Sequence, residues 1–163
     1  MARTRALIAA AIAVAGVVVV RHAAAQQAPG PTLRPSVAAT AVVGTHALGV
    51  VSACLEGDAG LYTRLGLTAG VGASAGDNGR AVGEVTAIGR FLLDPLRQAS
   101  RGVYATGGLA LRVEHAVRPR ALVLAGLGVE GRPLGRVVPA LEAGVGGGVR
   151  ISVVFRPLRP GRR

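Results

Sequence analysis

Residues 60–73 read Gly60-Leu61-Tyr62-Thr63-Arg64-Leu65-Gly66-Leu67-Thr68-Ala69-Gly70-Val71-Gly72-Ala73. One parity is apolar except for Thr63: Leu61, Leu65, Leu67, Ala69, Val71 and Ala73. The other carries Tyr62, Arg64, Gly66, Thr68, Gly70 and Gly72. Successive side chains of a strand point to opposite faces, so the segment has one greasy face and one polar, narrow face. Soluble sheets alternate too, but seldom beyond about ten residues with glycine on the polar side. A strand long enough to cross a bilayer, with lipid outside and a packed polar interior, predicts this pattern.

The same division recurs along the chain. Apolar alternating segments are predicted at 36–44, 49–55, 60–73, 80–93, 102–114, 120–131, 138–146 and 149–156, with turn residues between them. Asn78-Gly79 is a hairpin signal, because both residue types tolerate positive φ. Glu56-Gly57-Asp58 reads as a turn into the 60–73 strand, and Asp94-Pro95 and Val117-Arg118-Pro119 as connections. About eight strands in sequence, each joined by a short connection, predict an all-β, antiparallel up-and-down β-barrel over residues 36–156.

Charge within the patterned segments keeps to one parity: Arg64, Glu84, Arg90, Arg112, Glu114, Glu130, Glu142 and Arg150. The opposite parity carries none from residue 60 onward. Glycine beside Arg or Tyr suits a narrow closed barrel, where long side chains need space across the axis. These eight residues are therefore expected to form an ion-pair network in the barrel interior, each desolvated charge compensated by a partner.

The ends of the chain differ from its middle. Arg3 and Arg5 precede an apolar run of about 14 residues, and His22-Ala23-Ala24-Ala25 offers small residues for cleavage, which together predict a signal peptide over residues 1–25. The run is short for a membrane-spanning helix, which needs roughly 20 apolar residues. A Pro-rich linker is expected at 26–35 and a basic tail at 157–163. The single cysteine, Cys54, excludes an intramolecular disulfide and reads as a small core hydrophobe.

The formal net charge of +11 rests on arginine alone, since the chain has no lysine. Such a balance raises the possibility of nucleic-acid binding. The arginines, however, are scattered singly among apolar residues, and the aromatics are only Tyr62, Phe91, Tyr104 and Phe155, so no stacking platform exists. Gly126-Leu127-Gly128-Val129-Glu130-Gly131 matches G-x-G-x-x-G, but Arg132-Pro133 follows where a dinucleotide site needs a helix to start. His46 and His115 fall in predicted connections, as does Asp77, and no serine stands beside either histidine, so a catalytic constellation is not expected. No metal-ligand spacing is present, and no cofactor is expected.

The stretches 102–112, Gly-Val-Tyr-Ala-Thr-Gly-Gly-Leu-Ala-Leu-Arg, and 139–155, Pro-Ala-Leu-Glu-Ala-Gly-Val-Gly-Gly-Gly-Val-Arg-Ile-Ser-Val-Val-Phe, resemble small bacterial outer-membrane β-barrels of the eight-stranded OmpA-like or OmpX-like class. The resemblance covers roughly residues 36–156 and rests on pattern. Two departures are visible: there is no tryptophan, and Phe155 is followed by residues 156–163 instead of ending the chain. The resemblance implies an outer-membrane location, contact with membrane lipids and the barrel-assembly machinery, and a structural, adhesive or surface-interaction role without enzymatic activity. Two other readings stand beside it: a soluble periplasmic or secreted β-barrel binding a small ligand, and an outer-membrane hydrolase or acyltransferase using His46 or His115.

Overall fold

A computed structural model describes residues 33–75, 79–94, 102–114 and 117–158. The expected signal peptide and residues 26–32 of the 26–35 linker lie outside the described residues, as do Asp77, Asn78, His115 and most of the basic tail. Eight strands are present: β1 (Arg34–Val43), β2 (Ala47–Asp58), β3 (Thr63–Ala75), β4 (Ala81–Leu92), β5 (Gly102–Glu114), β6 (Arg120–Glu130), β7 (Val137–Val145) and β8 (Val149–Pro157). Each pairs antiparallel with the next, and β1 pairs antiparallel with β8, so the sheet closes into an up-and-down barrel. Closure gives every strand two neighbours and leaves no edge to aggregate. Among the described residues there is no helix.

Register explains how one sequence parity comes to face one side throughout. Directly opposed residues share parity in every ladder, from Ser36↔Cys54 through Gly70↔Glu84 and Glu84↔Arg112 to Val37↔Phe155. Opposed residues lie on the same face, so the even-numbered residues line the inner side of all eight strands, with Arg120 at the mouth, where β6 begins, left exposed. The ladders are also staggered. Thr40 pairs Val50, Val50 pairs Gly72, Gly72 pairs Val82, and Val82 pairs Glu114, which is already the end of β5. Such a stagger tilts the strands against the barrel axis and sets a narrow bore.

Side chains fill that bore. Near the end holding the β1–β2 and β3–β4 connections, Val42, Leu48, Val50 and Val82 form a buried aliphatic cluster. Toward the end where β1 begins and β8 finishes, Tyr104 is fully buried with Ala140 and Val154. Gly128 stands directly opposite Tyr104, and a Cβ there would run into the Tyr104 ring. The inward glycines do not all serve side chains in this way. At Gly108, Gly126 and Gly144 a Cβ would meet the backbone of the adjoining strand, so these residues permit close coiling of the wall itself. The β7–β8 turn is Gly146-Gly147-Gly148, with Gly147 at φ 70°, a conformation that glycine adopts without steric cost.

Several boundaries move from those expected. β1 starts at Arg34, inside the expected linker, and Pro157 belongs to β8. β2 runs on through Glu56-Gly57-Asp58, which sequence reading takes for a turn. The connection lies instead at residues 59–62, so Tyr62 precedes β3. Tyr62 is exposed and stacks on Phe91 with ring centroids 5.9 Å apart, although the alternation assigns it to the polar face.

Candidate functional site

The interior charges fall into two groups. The first sits near the end where the chain enters and leaves the barrel. β2 contributes Glu56 and Asp58, β3 Arg64, β4 Arg90, β6 Glu130, β7 Glu142, β8 Arg156 and β1 Arg34, all at even positions. Arg156 is the hub. It contacts Glu56 at 3.2 Å, Glu142 at 3.0 Å and Glu130 at 3.4 Å. Arg90 spans the bore to Glu142 at 2.9 Å and Glu56 at 3.2 Å. Arg64 reaches Glu130 at 2.5 Å and Asp58 at 3.6 Å, and Asp58 also pairs Arg34 at 2.7 Å.

Tyr104 ties the group together. Its hydroxyl donates to Glu142 Oε1 at 2.8 Å and accepts from both terminal nitrogens of Arg156 at 3.2 Å. The Arg156 guanidinium also lies 5.2 Å from the Tyr104 ring centroid, a cation–π arrangement. Ser36 donates to Glu56 at 2.9 Å. Burying a charge is costly unless partners and hydrogen bonds compensate it, and here most of these charges meet two or more partners.

The second group sits nearer the opposite end and is a triad. Arg112 donates twice to Glu84 Oε2, at 3.0 and 2.8 Å. Arg150 donates to Glu84 Oε1 at 2.6 Å and to Oε2 at 3.2 Å. One carboxylate therefore serves two guanidiniums. Between the groups lies a cavity of about 80 Å³, whose lining includes the hydroxyls of Thr40, Ser52, Thr68, Thr86, Thr106 and Ser152. A second, of about 130 Å³, opens between Arg34, Asp58, Arg64 and Glu130.

Of the residues expected inside, Arg64, Arg90, Glu130 and Glu142 meet in the first group and Glu84, Arg112 and Arg150 in the second. Glu114 ends β5, half-buried, and joins neither group among the described residues. Sequence reading omits Arg34, Glu56, Asp58, Tyr104 and Arg156 from the network. Arg156 and Tyr104 carry the right signal, since both share the parity of Arg150 and Arg112. Glu56 and Asp58 continue the parity of Ser52 and Cys54, but Gly57 between them imitates a turn.

The G-x-G-x-x-G stretch at 126–131 lies in β6 and the extended residue that follows, with no helix start for a pyrophosphate. His46 is exposed in the β1–β2 connection. Among the described residues, no group of three His, Cys, Asp or Glu side chains is placed to hold a metal. No protein-family model matches the chain, and comparison with curated proteins finds no match.

Proposed function

We propose that this chain is a membrane-spanning β-barrel of a bacterial outer membrane, with a structural, adhesive or surface-interaction role and an interior closed by its own side chains. One observation carries the reading. Of all the outward-facing strand positions, Thr63 alone has a polar side chain, and none is charged. Exposure of the large apolar residues on that surface reaches 74% at Val123 and 73% at Val71. A monomer in water seldom exposes a contiguous apolar patch beyond about 300–600 Å². Here the apolar surface runs right around the barrel. Strands of 9 to 13 residues match the roughly 9–11 that a tilted strand needs to cross a bilayer.

The interior supports a plug rather than a pore or a ligand site. Cavities of about 80 and 130 Å³ fall well below the ~300–1,000 Å³ of small-molecule pockets. An even strand number puts both ends of the barrel domain on one side, which in this reading is the periplasm. The test is fractionation followed by gels of heated and unheated samples. A carbonate-resistant membrane protein whose mobility changes on boiling is expected. Release by carbonate into a soluble, monodisperse form would overturn the reading in favour of a soluble barrel.

A further inference from the structure

The barrel sorts its charges by sign. Among the described residues no Asp or Glu is fully exposed: Glu56, Glu84 and Glu130 are buried, and Asp58, Asp94, Glu114 and Glu142 are half-buried. Among the described residues the exposed charged side chains are all arginine: Arg80, Arg118, Arg120, Arg132 and Arg136. Each lies within two residues of a strand end. Arg80, Arg118 and Arg120 flank the starts of β4 and β6, on the rim away from the termini. Arg132 and Arg136 flank the end of β6 and the start of β7, on the rim where the termini lie. Asp58, Asp94 and Glu114 also stand at or near strand ends but are half-buried, so what the rims present most openly is arginine.

Resting on the membrane reading, we propose that these two arginine rims seat in the headgroup layers of a bilayer and bind the phosphates of anionic phospholipids. The spacing fits. From Arg120 to Glu130 the chain climbs the whole of β6, about 33 Å along the strand at ~3.3 Å per residue, with Arg132 two residues beyond. At the usual tilt of roughly 40° this is about 25 Å along the axis, the height of the apolar band of a membrane-spanning barrel. The planar guanidinium fork suits phosphate oxygens, and its charge favours a negatively charged surface. The wall between the rims offers lipid only uncharged side chains, so headgroup preference falls to the rims.

The full chain, refolded from urea into phosphatidylcholine vesicles with and without phosphatidylglycerol, tests this. Folding, read as the heat-modifiable band against time, is expected to be roughly tenfold faster or more with phosphatidylglycerol, and the gain should shrink at high salt. The variant R80Q/R118Q/R120Q/R132Q/R136Q should fold in phosphatidylcholine at the parent rate and lose most of the gain. Equal parent rates in both vesicles would overturn the proposal while leaving the membrane barrel intact. So would a variant that keeps the full gain, or an equal acceleration by inorganic phosphate in phosphatidylcholine alone. Folding into neither vesicle would instead overturn the membrane reading and this proposal with it.

Discussion

The two ends of the bore solve one problem differently. Near the termini, Arg156 contacts three carboxylates and Arg90 two, with the Tyr104 hydroxyl bridging cation and anion. Near the other end, Glu84 is the one carboxylate on Arg112 and Arg150 among the described residues, Arg150 also reaching the Gly146 carbonyl at 3.5 Å, and the neighbouring interior is aliphatic, with Val42, Leu48 and Val82 buried. The first arrangement is redundant, since most of its charges keep a partner if one is lost. The second has a single point of failure. The Arg156 hub and the triad are both largely buried, while the first group also runs out to the mouth through the part-exposed Arg34 and Asp58.

The largest effect expected follows directly. Glu84→Gln removes the only carboxylate seen on both guanidiniums and turns an amide NH2 toward one of them, because both carboxylate oxygens accept hydrogen bonds. A stranded buried charge costs about 3–5 kcal/mol. Glu142→Gln should cost less, roughly 1–3 kcal/mol, because only Oε1 accepts the bonds from Arg90, Tyr104 and Arg156, and an amide oxygen can stay there. Arg90 and Arg156 also keep Glu56. Urea unfolding of the detergent-solubilised barrel, followed by the unheated gel band, measures both. Equal losses would show that redundancy protects nothing.

Tyr104→Phe sharpens the same comparison at smaller scale. It keeps the ring against Gly128 and under Arg156 while deleting the hydroxyl that joins Arg156 to Glu142. The expected loss is about 1–2 kcal/mol, the cost of unmade hydrogen bonds to charged partners. Within a redundant network the ion pair Arg156–Glu142 at 3.0 Å should survive. A loss rivalling that of Glu84→Gln would make Tyr104, rather than the ion pairs, the keystone of that end.

The difference between the ends also marks what could be read from sequence. The barrel itself was legible because period-two alternation persists through the long segments from residue 60 onward, and a closed antiparallel register propagates one parity around the whole wall. The triad residues Glu84, Arg112 and Arg150 stand near strand ends too, but with clean alternation and no turn-forming residue masking it, so their inward direction was readable. The terminal group was harder. It draws on Arg34, Glu56 and Asp58 at strand ends, where turn-forming residues such as Gly57 mask the alternation. Tyr62 shows the limit in the other direction: one residue before β3 the chain has left the pleat, and parity no longer determines its face. Glu84–Arg112 and Asp58–Arg64 join directly opposed strand neighbours, but which charges meet across the bore, as Arg64 and Glu130 do, depends on stagger and tilt and was not readable.

The smallest effect should come from the mouth. Arg34 and Asp58 pair at 2.7 Å, as close as the interior pairs, but their side chains are 25% and 27% exposed, against 8% and 5% for Arg112 and Glu84. Solvent screens a pair in proportion to its access, and exposed pairs are worth about 0–1 kcal/mol whatever their distance. Asp58 also keeps Arg64 at 3.6 Å when Arg34 is replaced. Arg34→Gln should therefore shift the urea midpoint only slightly, and added salt should shrink even that shift, while the penalty of Glu84→Gln should hardly respond to salt. If Arg34→Gln instead cost as much as Glu84→Gln, with both insensitive to salt, the mouth would have to be as dry as the bore. The terminal network would then act as one desolvated unit, and its redundancy would end at its outermost pair.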